Sequence, residues 1–225
     1  VRIIQHQLAI GTRHATPYYV IRGSIPGDTL VITAGIHGNE RASILAAYRL
    51  LSNLKQGSLC LRRGTLVLVP IVNRSAYRRG IRGVPDLNRT FPRTKGQKAS
   101  HSLSAAMFRL AANMKARWYI DLHEANGLSK VNRRFLGQTL IACPGSSEVP
   151  AVRRVVRRVN RSIASRRKQF SIRLSTLPGS GRHAAKHVLK AKAITVETCW
   201  SLPVVTRVRD QSRVIRNLLN EAGML

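Results

Sequence analysis

Short runs rich in β-branched and aromatic residues alternate along the chain with longer stretches in which apolar positions recur every three to four residues. The first pattern predicts strands and the second amphipathic helices, because side chains change face at every residue of a strand and repeat about every 3.6 residues around a helix. TPYYVIRG (16–23) and TLVITAG (29–35) read as strands separated by the turn-forming SIPGD. Helical spacing over 40–54 follows, so GIHGNE sits where a strand ends and a helix begins. TLVLVPIVN (65–73) is apolar enough for a strand covered on both faces. The polar, glycine-containing stretch over 74–97 then reads as a loop, and loops of that length usually carry function.

A helix over 102–114, the strand RWYIDLH (117–123), the strand QTLIAC (138–143) and a basic amphipathic helix over 149–166 come next. A weaker strand at FSIRL (170–174), the turn LPGSG, a short helix, the strand AITVETC (193–199) and a helix from about 207 complete the pattern. Strands alternating with helices predict an α/β fold, a three-layer sandwich around a mixed, largely parallel central sheet. The 225 residues suit one catalytic domain over 1–225, since a single core grows to roughly 250 residues before a chain divides.

No apolar run approaches the roughly 18 residues that a bilayer requires. The opening VRIIQHQ lacks the apolar stretch of a signal peptide and starts on valine. These features leave the compartment open and lean toward a soluble, secreted or periplasmic protein. The three widely spaced cysteines, Cys60, Cys143 and Cys199, read as small buried core residues and not as a disulfide framework.

Charge alters this picture. The chain carries 39 lysines and arginines against 9 aspartates and glutamates, a formal net charge of +30. Such a surface attracts anionic polymers. Nucleic acid is a disfavoured partner, because no recognisable binding motif is present and aromatic residues, at 5%, are not interleaved with the basic runs as stacking platforms. The scarce acids are concentrated: Glu40, Asp86, Asp121, Glu124 and Glu197 all lie in short motifs beside candidate site residues.

Those motifs fit metal chemistry. Catalytic zinc takes three protein ligands of His nitrogen or carboxylate oxygen and keeps a fourth position open. His37-x-x-Glu40 supplies two from one turn, and His123 in DLH offers a third from the end of another strand, with Asp121 or a nearby backbone carbonyl able to orient an imidazole. H-x-x-E alone is a weak signal. GIHGNE, DLNRTFP, DLHEA and ITVETC in that order are far more specific.

Together these segments resemble the zinc carboxypeptidase superfamily, above all its succinylglutamate desuccinylase/aspartoacylase branch, and are similar to the bacterial murein-peptide amidases. The resemblance implies one Zn2+ ion held by His37, Glu40 and His123, with Glu197 as general base. It implies further that Asn88 and Arg89 hold a substrate carboxylate and that Arg82 polarises the scissile carbonyl, Arg78 and Arg79 being rivals for that role. Apart from the resemblance, the plainer reading is that Asp86 simply caps the loop and that Glu124 is a solvated neighbour of a ligand.

The function so implied is that of a zinc-dependent amidohydrolase of metallocarboxypeptidase type, a protease cleaving an amide next to a carboxylate-bearing residue in an acidic or cell-wall peptide. One rival is an N-acyl amino acid deacylase acting on an acyl amino acid substrate. Another, of a different class, is a polyanion-binding protein with a vestigial metal site.

Two departures from the family pattern bear on this. LSTLPGSGRH contains no tyrosine where carboxypeptidases place one, leaving Ser175, Thr176 or Arg182 as replacements. About 28 residues follow Glu197, too few for the additional β domain of aspartoacylase-like members, so an open site is expected. His183 and His187 have helical ligand spacing, but Ala184 stands where an H-E-x-x-H motif has its glutamate. His6, His14 and His101 read as surface or ordinary polar contacts. The arginine face of 149–166 reads as solvated, or as a docking surface for an anionic polymer or membrane.

Overall fold

The protein is described by a computed structural model over residues 2–225. Its strands are β1 (Arg2–Leu8), β2 (Thr16–Arg22), β3 (Ile25–Ala34), β4 (Arg63–Val69), β5 (Ala116–Ala125), β6 (Thr139–Ala142), β7 (Ser171–Leu174) and β8 (Lys192–Cys199). Its helices are α1 (Arg41–Lys55), α2 (Arg74–Arg79), α3 (Ser102–Asn113), α4 (Val149–Asn160), α5 (Gly181–His187) and α6 (Val204–Glu221). The strands form one sheet in the order β1-β2-β4-β3-β5-β8-β6-β7. β4, β3, β5 and β8 run parallel, while β1, β2 and the β6/β8 pairing are antiparallel. This is the mixed, largely parallel three-layer sandwich that the alternation predicts.

Strand periodicity divides the core between two faces. Leu30, Ile32, Ile120, Leu122, Ile194 and Val196 point to the side covered by α1, α4 and α6. Val31, Tyr119 and Ala193, one position out of step, point to the side of α3 and α5. Burying each such Val, Leu or Ile stabilises the fold by about 1.5–3 kcal/mol. Asp121, His123 and Glu197 share the parity of Tyr119 and Ala193, so the chemistry-bearing residues fall on the α3/α5 face at the C-terminal ends of the strands. Crevices at the carboxyl ends of parallel strands are the usual ligand sites of such sheets.

Several elements differ from the sequence pattern. β1 is an additional strand, a largely exposed edge paired with β2. β3 starts at Ile25, its ladder shifting register between Ile25 and Thr29 where SIPGD predicts a turn. The stretch 74–97 contains α2 and a short helical turn at Leu87–Arg89. α4 stops at Asn160 instead of 166, and α6 starts at Val204 instead of 207. The apolar face of α4 (Ala151, Val152, Val155, Val156, Val159) is buried in the core, which leaves its arginines outward. Arg154 and Arg158 pair with Glu221 of α6 at 2.7 and 2.9 Å. That helix therefore has no free apolar face for a membrane. Among the described residues, no helix is long and apolar enough to cross one.

Candidate metal centre

β3 ends at Ala34 and α1 starts at Arg41, and the six residues between them carry His37 and Glu40. Gly38 is obligatory here, because a Cβ at that position would fall on the backbone of Ala76 and Tyr77 in α2. Glu40 occupies the N-cap position of α1 but makes no side-chain cap bond. Glu124 does that work from β5: its Oε2 accepts the Ala42 N–H at 2.7 Å, and its Oε1 pairs with Arg207 of α6. Glu124 is thus a buried structural clamp and not a solvated neighbour. The Glu40 carboxylate is left free to turn toward the histidines.

It meets both of them. His37 Nδ1 lies 2.6 Å from Glu40 Oε1, and His123 Nδ1 lies 2.9 Å from Glu40 Oε2. The opposite ring nitrogens face aspartates. His37 Nε2 is 2.9 Å from Asp86 Oδ1, and His123 Nε2 is 3.0 Å from Asp121 Oδ2. The Asp121 contact lies off the hydrogen-bonding direction, and Asp121 Oδ1 accepts from Thr33 Oγ1 at 2.7 Å. Asp86 holds the proton of His37 on Nε2 and leaves that ring's Nδ1 lone pair toward the shared centre, while Asp121 stands behind the His123 Nε2 as a charge partner. Among the described residues, His37, Glu40 and His123 are the group whose candidate ligand atoms lie within 4.8 Å of one another. Two imidazoles, one carboxylate and a backing acid for each ring are the donor chemistry of a catalytic zinc site, so the residues fit that ion.

The electrostatics of the bare cluster agree. Burial alone would raise Glu40, but the two histidines hold it down to about 2. Burial would lower His123, yet Asp121 and Glu40 raise it well above the ordinary imidazole value. Burial would also raise Asp86, and His37 and Arg82 hold it well below the carboxylate range. The cluster is therefore a knot of mutually neutralised charges, from which a divalent cation would displace protons.

Glu197 is the register partner of His123 across the β5/β8 ladder. Its Oε2 is enclosed and has no hydrogen-bond partner among the described residues, although the residue reaches the mouth of the site. Burial pushes its carboxyl up to about 8, with Glu40 and Asp121 adding to the rise and His123 and Arg82 opposing it. A buried carboxyl oxygen without a partner is costly, and such groups concentrate where chemistry is done.

Asp86 organises the third side. Its side chain accepts the Asn88 N–H at 2.9 Å and binds Arg82 at 2.9 Å from Nη2. Arg82 Nη1 is 3.9 Å from Glu40 Oε1, which brings that guanidinium to the cluster. Arg89 Nη1 donates to the Asn88 carbonyl at 2.8 Å. The Asn88 amide is already engaged: its Oδ1 accepts the Gly181 N–H at 3.0 Å, and its Nδ2 is 3.4 Å from His123 Nε2.

All seven residues singled out in the sequence line one recess of about 230 Å3. Asn126, Leu136, Leu177 and Trp200 join them in its walls. Arg78 and Arg79 do not reach it. Neither do Ser175, Thr176 or Arg182, the candidates for the missing tyrosine. Arg182 is buried elsewhere, donating to Ser175 O at 3.0 Å and contacting Cys143 Sγ at 3.2 Å. Leu177 is the residue of that turn at the recess, and nothing polar in the motif marks it. His183 Nε2 binds the Arg93 carbonyl at 3.1 Å, and His101 caps α3 through the Leu103 N–H at 3.1 Å. All three cysteines are free, and Cys60 is exposed instead of buried.

The chain is similar to known proteins in sequence and in fold. The family model of the succinylglutamate desuccinylase/aspartoacylase catalytic domain matches residues 26–139. That span holds every singled-out residue except Glu197. The succinylglutamate desuccinylase of Photorhabdus laumondii is 36% identical over 110 residues, covering 43% of this chain and 33% of that protein. The succinylglutamate desuccinylase of Pseudomonas paraeruginosa is 34% identical over 136 residues, covering 57% and 40%. The aligned part thus spans between a third and two-fifths of these curated relatives. Among solved structures, tripeptide-bound Csd4 of Helicobacter pylori, a cell shape determinant, superimposes with TM-score 0.72 at 17% identity, covering 92% of this chain and 55% of Csd4. An aspartoacylase family protein of Mesorhizobium loti gives TM-score 0.69 at 20% identity, covering 99% and 68%. At such identities the superpositions speak for the fold. By the family match over residues 26–139, the chain belongs to the succinylglutamate desuccinylase/aspartoacylase catalytic-domain family.

Proposed function

We propose that residues 1–225 act as one catalytic domain, a zinc-dependent amidohydrolase that cleaves an amide next to a carboxylate-bearing residue. The observation that carries this reading is the convergence of both Nδ1 atoms on Glu40, each ring backed by an aspartate, beside the unpartnered oxygen of Glu197. His37, Glu40 and His123 would hold one Zn2+. When bound, that ion supplies Lewis acidity and lowers the pKa of water toward 7.

The chain's own residues do the rest. Glu197 takes the proton of the attacking water on its free oxygen and delivers it to the leaving nitrogen. Its carboxyl must first ionise, and a divalent charge in the cluster favours the ionised form. Arg82, held by Asp86, faces the oxygen on which negative charge develops. Arg89 lines the recess, where the planar fork of a guanidinium suits a substrate carboxylate. Asn88 joins His123 to the start of α5 and shapes the floor.

A recess of about 230 Å3 accepts one acid-bearing residue or acyl group and leaves the remainder of a peptide outside. Two substrate classes follow. An acidic or cell-wall peptide accords with the net charge of +30 and with a structural neighbour described as a D,L-carboxypeptidase. An N-acyl amino acid accords with the curated relatives, which are named succinylglutamate desuccinylases. A complete donor set argues against a vestigial site in a purely polyanion-binding protein. The test is hydrolysis by zinc-loaded protein of N-succinylglutamate and of a γ-linked acidic peptide. Release of amine from one of them, abolished by chelation, is expected; inertness toward both with zinc bound overturns the reading.

A further inference from the structure

A second concavity, a trough of about 690 Å3, runs beside β7. β7 closes the sheet and, among the described residues, pairs with β6 alone. The N–H groups of Ser171 and Ser175 bond to Gln138 and Ala142 on the β6 side. In a parallel ladder alternate residues face the same neighbour, so the main-chain groups of Ile172 and Leu174 point away from the sheet. One wall of the trough is α4, through Val156 and Asn160, and the other is the loop over 126–137, through Ser129 and Phe135. The Arg173 guanidinium ties that loop to the strand by donating to the Arg133 carbonyl at 3.1 Å.

Lys130, Arg133 and Arg173 line the trough, and no carboxylate does so among the described residues. Between Glu124 and Glu197 the chain has a single acid, Glu148, which is buried and held by Lys186 at 3.1 Å. An open row of backbone donors and acceptors, flanked by unpaired bases, is a template for an added strand. A second copy of this chain would bring the same bases against one another. A phosphate polymer would answer the charge but offers nothing to the alternating N–H and C=O groups.

We propose that the free edge of β7 binds an extended acidic peptide segment, which adds to the sheet as a further strand. Main-chain hydrogen bonds to Ile172 and Leu174 would give register, and carboxylates on the peptide would meet Lys130, Arg133 and Arg173. The loop over 126–137 also walls the metal-centre recess through Asn126 and Leu136, so the two sites are neighbours. The proposal rests on the edge and its charges alone and stands apart from the metal chemistry.

The test is fluorescence anisotropy of the full chain with a labelled, short, alternating Glu–Val peptide at low salt. Comparators are its Gln–Val counterpart and a version N-methylated at alternate residues. Ile172→Pro removes one outward N–H where an edge strand tolerates proline. Lys130→Glu with Arg173→Glu reverses two charges. Arg49→Glu with Arg213→Glu serves as control in the other arginine-lined groove, between α1 and α6. We expect the Glu–Val peptide to bind, with affinity reduced roughly tenfold or more by the charge reversals, by N-methylation and by Ile172→Pro, and unchanged by the control pair. Equal binding of the N-methylated peptide, equal loss in the control variant, or no binding at low salt overturns the proposal. Dimerisation abolished by Ile172→Pro would assign the edge to a second copy and overturn it as well.

Discussion

At the ends of β3, β5 and β8, the carboxylates of Glu40, Asp86 and Asp121 meet two imidazoles and the guanidinium of Arg82, Glu197 stands beside them, and Glu124 clamps Arg207. In the trough beside β7, Lys130, Arg133 and Arg173 face solvent with no carboxylate lining the same cavity among the described residues. The first region holds five of the chain's nine acids; the second lies in a stretch nearly devoid of them. Charges that cancel at short range inside a low-dielectric site orient donors and tune protons. Unpaired charges on an open edge attract a partner and are weakened by salt. The excess positive charge therefore speaks to what the surface attracts, and the few acids speak to what the site does.

Glu197→Gln should have the largest effect, and it should be confined to the recess. The variant keeps the size of the side chain and removes its ability to accept a proton. Turnover of any amide substrate should fall by about a thousandfold, the usual scale for loss of a general base. Zinc content, measured by plasma mass spectrometry, should stay at the wild-type level, as should peptide binding at β7. Undiminished turnover would remove Glu197 from the mechanism. Asp86→Ala should act next most strongly, because Asp86 supports both His37 and Arg82. Zinc affinity measured by chelator competition should weaken roughly 10- to 100-fold, as is typical when an outer partner of a metal-ligating histidine is lost. An unchanged affinity would mean that the aspartate serves the loop and not the ligand.

How far these regions were legible in the sequence differs for physical reasons. The parallel strands were readable because both their faces are buried, which makes TLVITAG and TLVLVPIVN nearly continuous apolar runs. The residues that converge at the recess were readable because His37, Glu40, His123 and Glu197 sit at or just beyond the ends of such strands in short motifs. β1 was not, because RIIQHQL is an edge strand whose half-exposed positions carry no clean alternation. The role of Glu124 depends on the N-terminus of α1 arriving from 82 positions away, a contact no local pattern encodes. The β7 trough is a product of strand order: β6 enters antiparallel to β8 and leaves β7 outermost, and FSIRL alone reads only as a weak strand. Arg182 looked available because it follows a glycine-rich turn, yet folding buries it against Cys143.

A pH series on metal-free protein separates the buried carboxyl of the recess from the exposed charges of the trough. Burial raises Glu197 in the folded state to about 8 from an ordinary value of 4.5. The folded state thus binds that proton more tightly than the unfolded chain does. The stability this contributes is fully present below about 4.5 and is lost as pH rises through about 8. His123, also raised, gives a slope of the same sign in both proteins, so the contribution of Glu197 is read from the difference between their curves. Urea unfolding in the presence of chelator should therefore show Glu197→Gln gaining on wild type as pH rises, by on the order of 2 kcal/mol near pH 8 once solvent at the recess mouth is allowed for. Parallel curves for the two proteins would place the Glu197 carboxyl in a far wetter setting. The matching Lys130→Glu variant should show no such divergence, since its charge is exposed in both states.

The smallest effect belongs to the trough when a small substrate is used. Arg173 is exposed, sits on the far side of the loop over 126–137 and does not line the metal-centre recess. For an acyl amino acid that fits within the recess, Arg173→Glu should change kcat/KM by less than about twofold at physiological salt, because exposed charges are screened over a Debye length of about 8 Å. For an acidic peptide long enough to pass the loop, the same substitution should raise KM while leaving kcat unchanged, the signature of lost uniform binding. Measuring both substrates on one variant separates the two regions. A fall in kcat on the small substrate would mean that the loop transmits the state of β7 to the recess, and the two sites would then have to be treated as one.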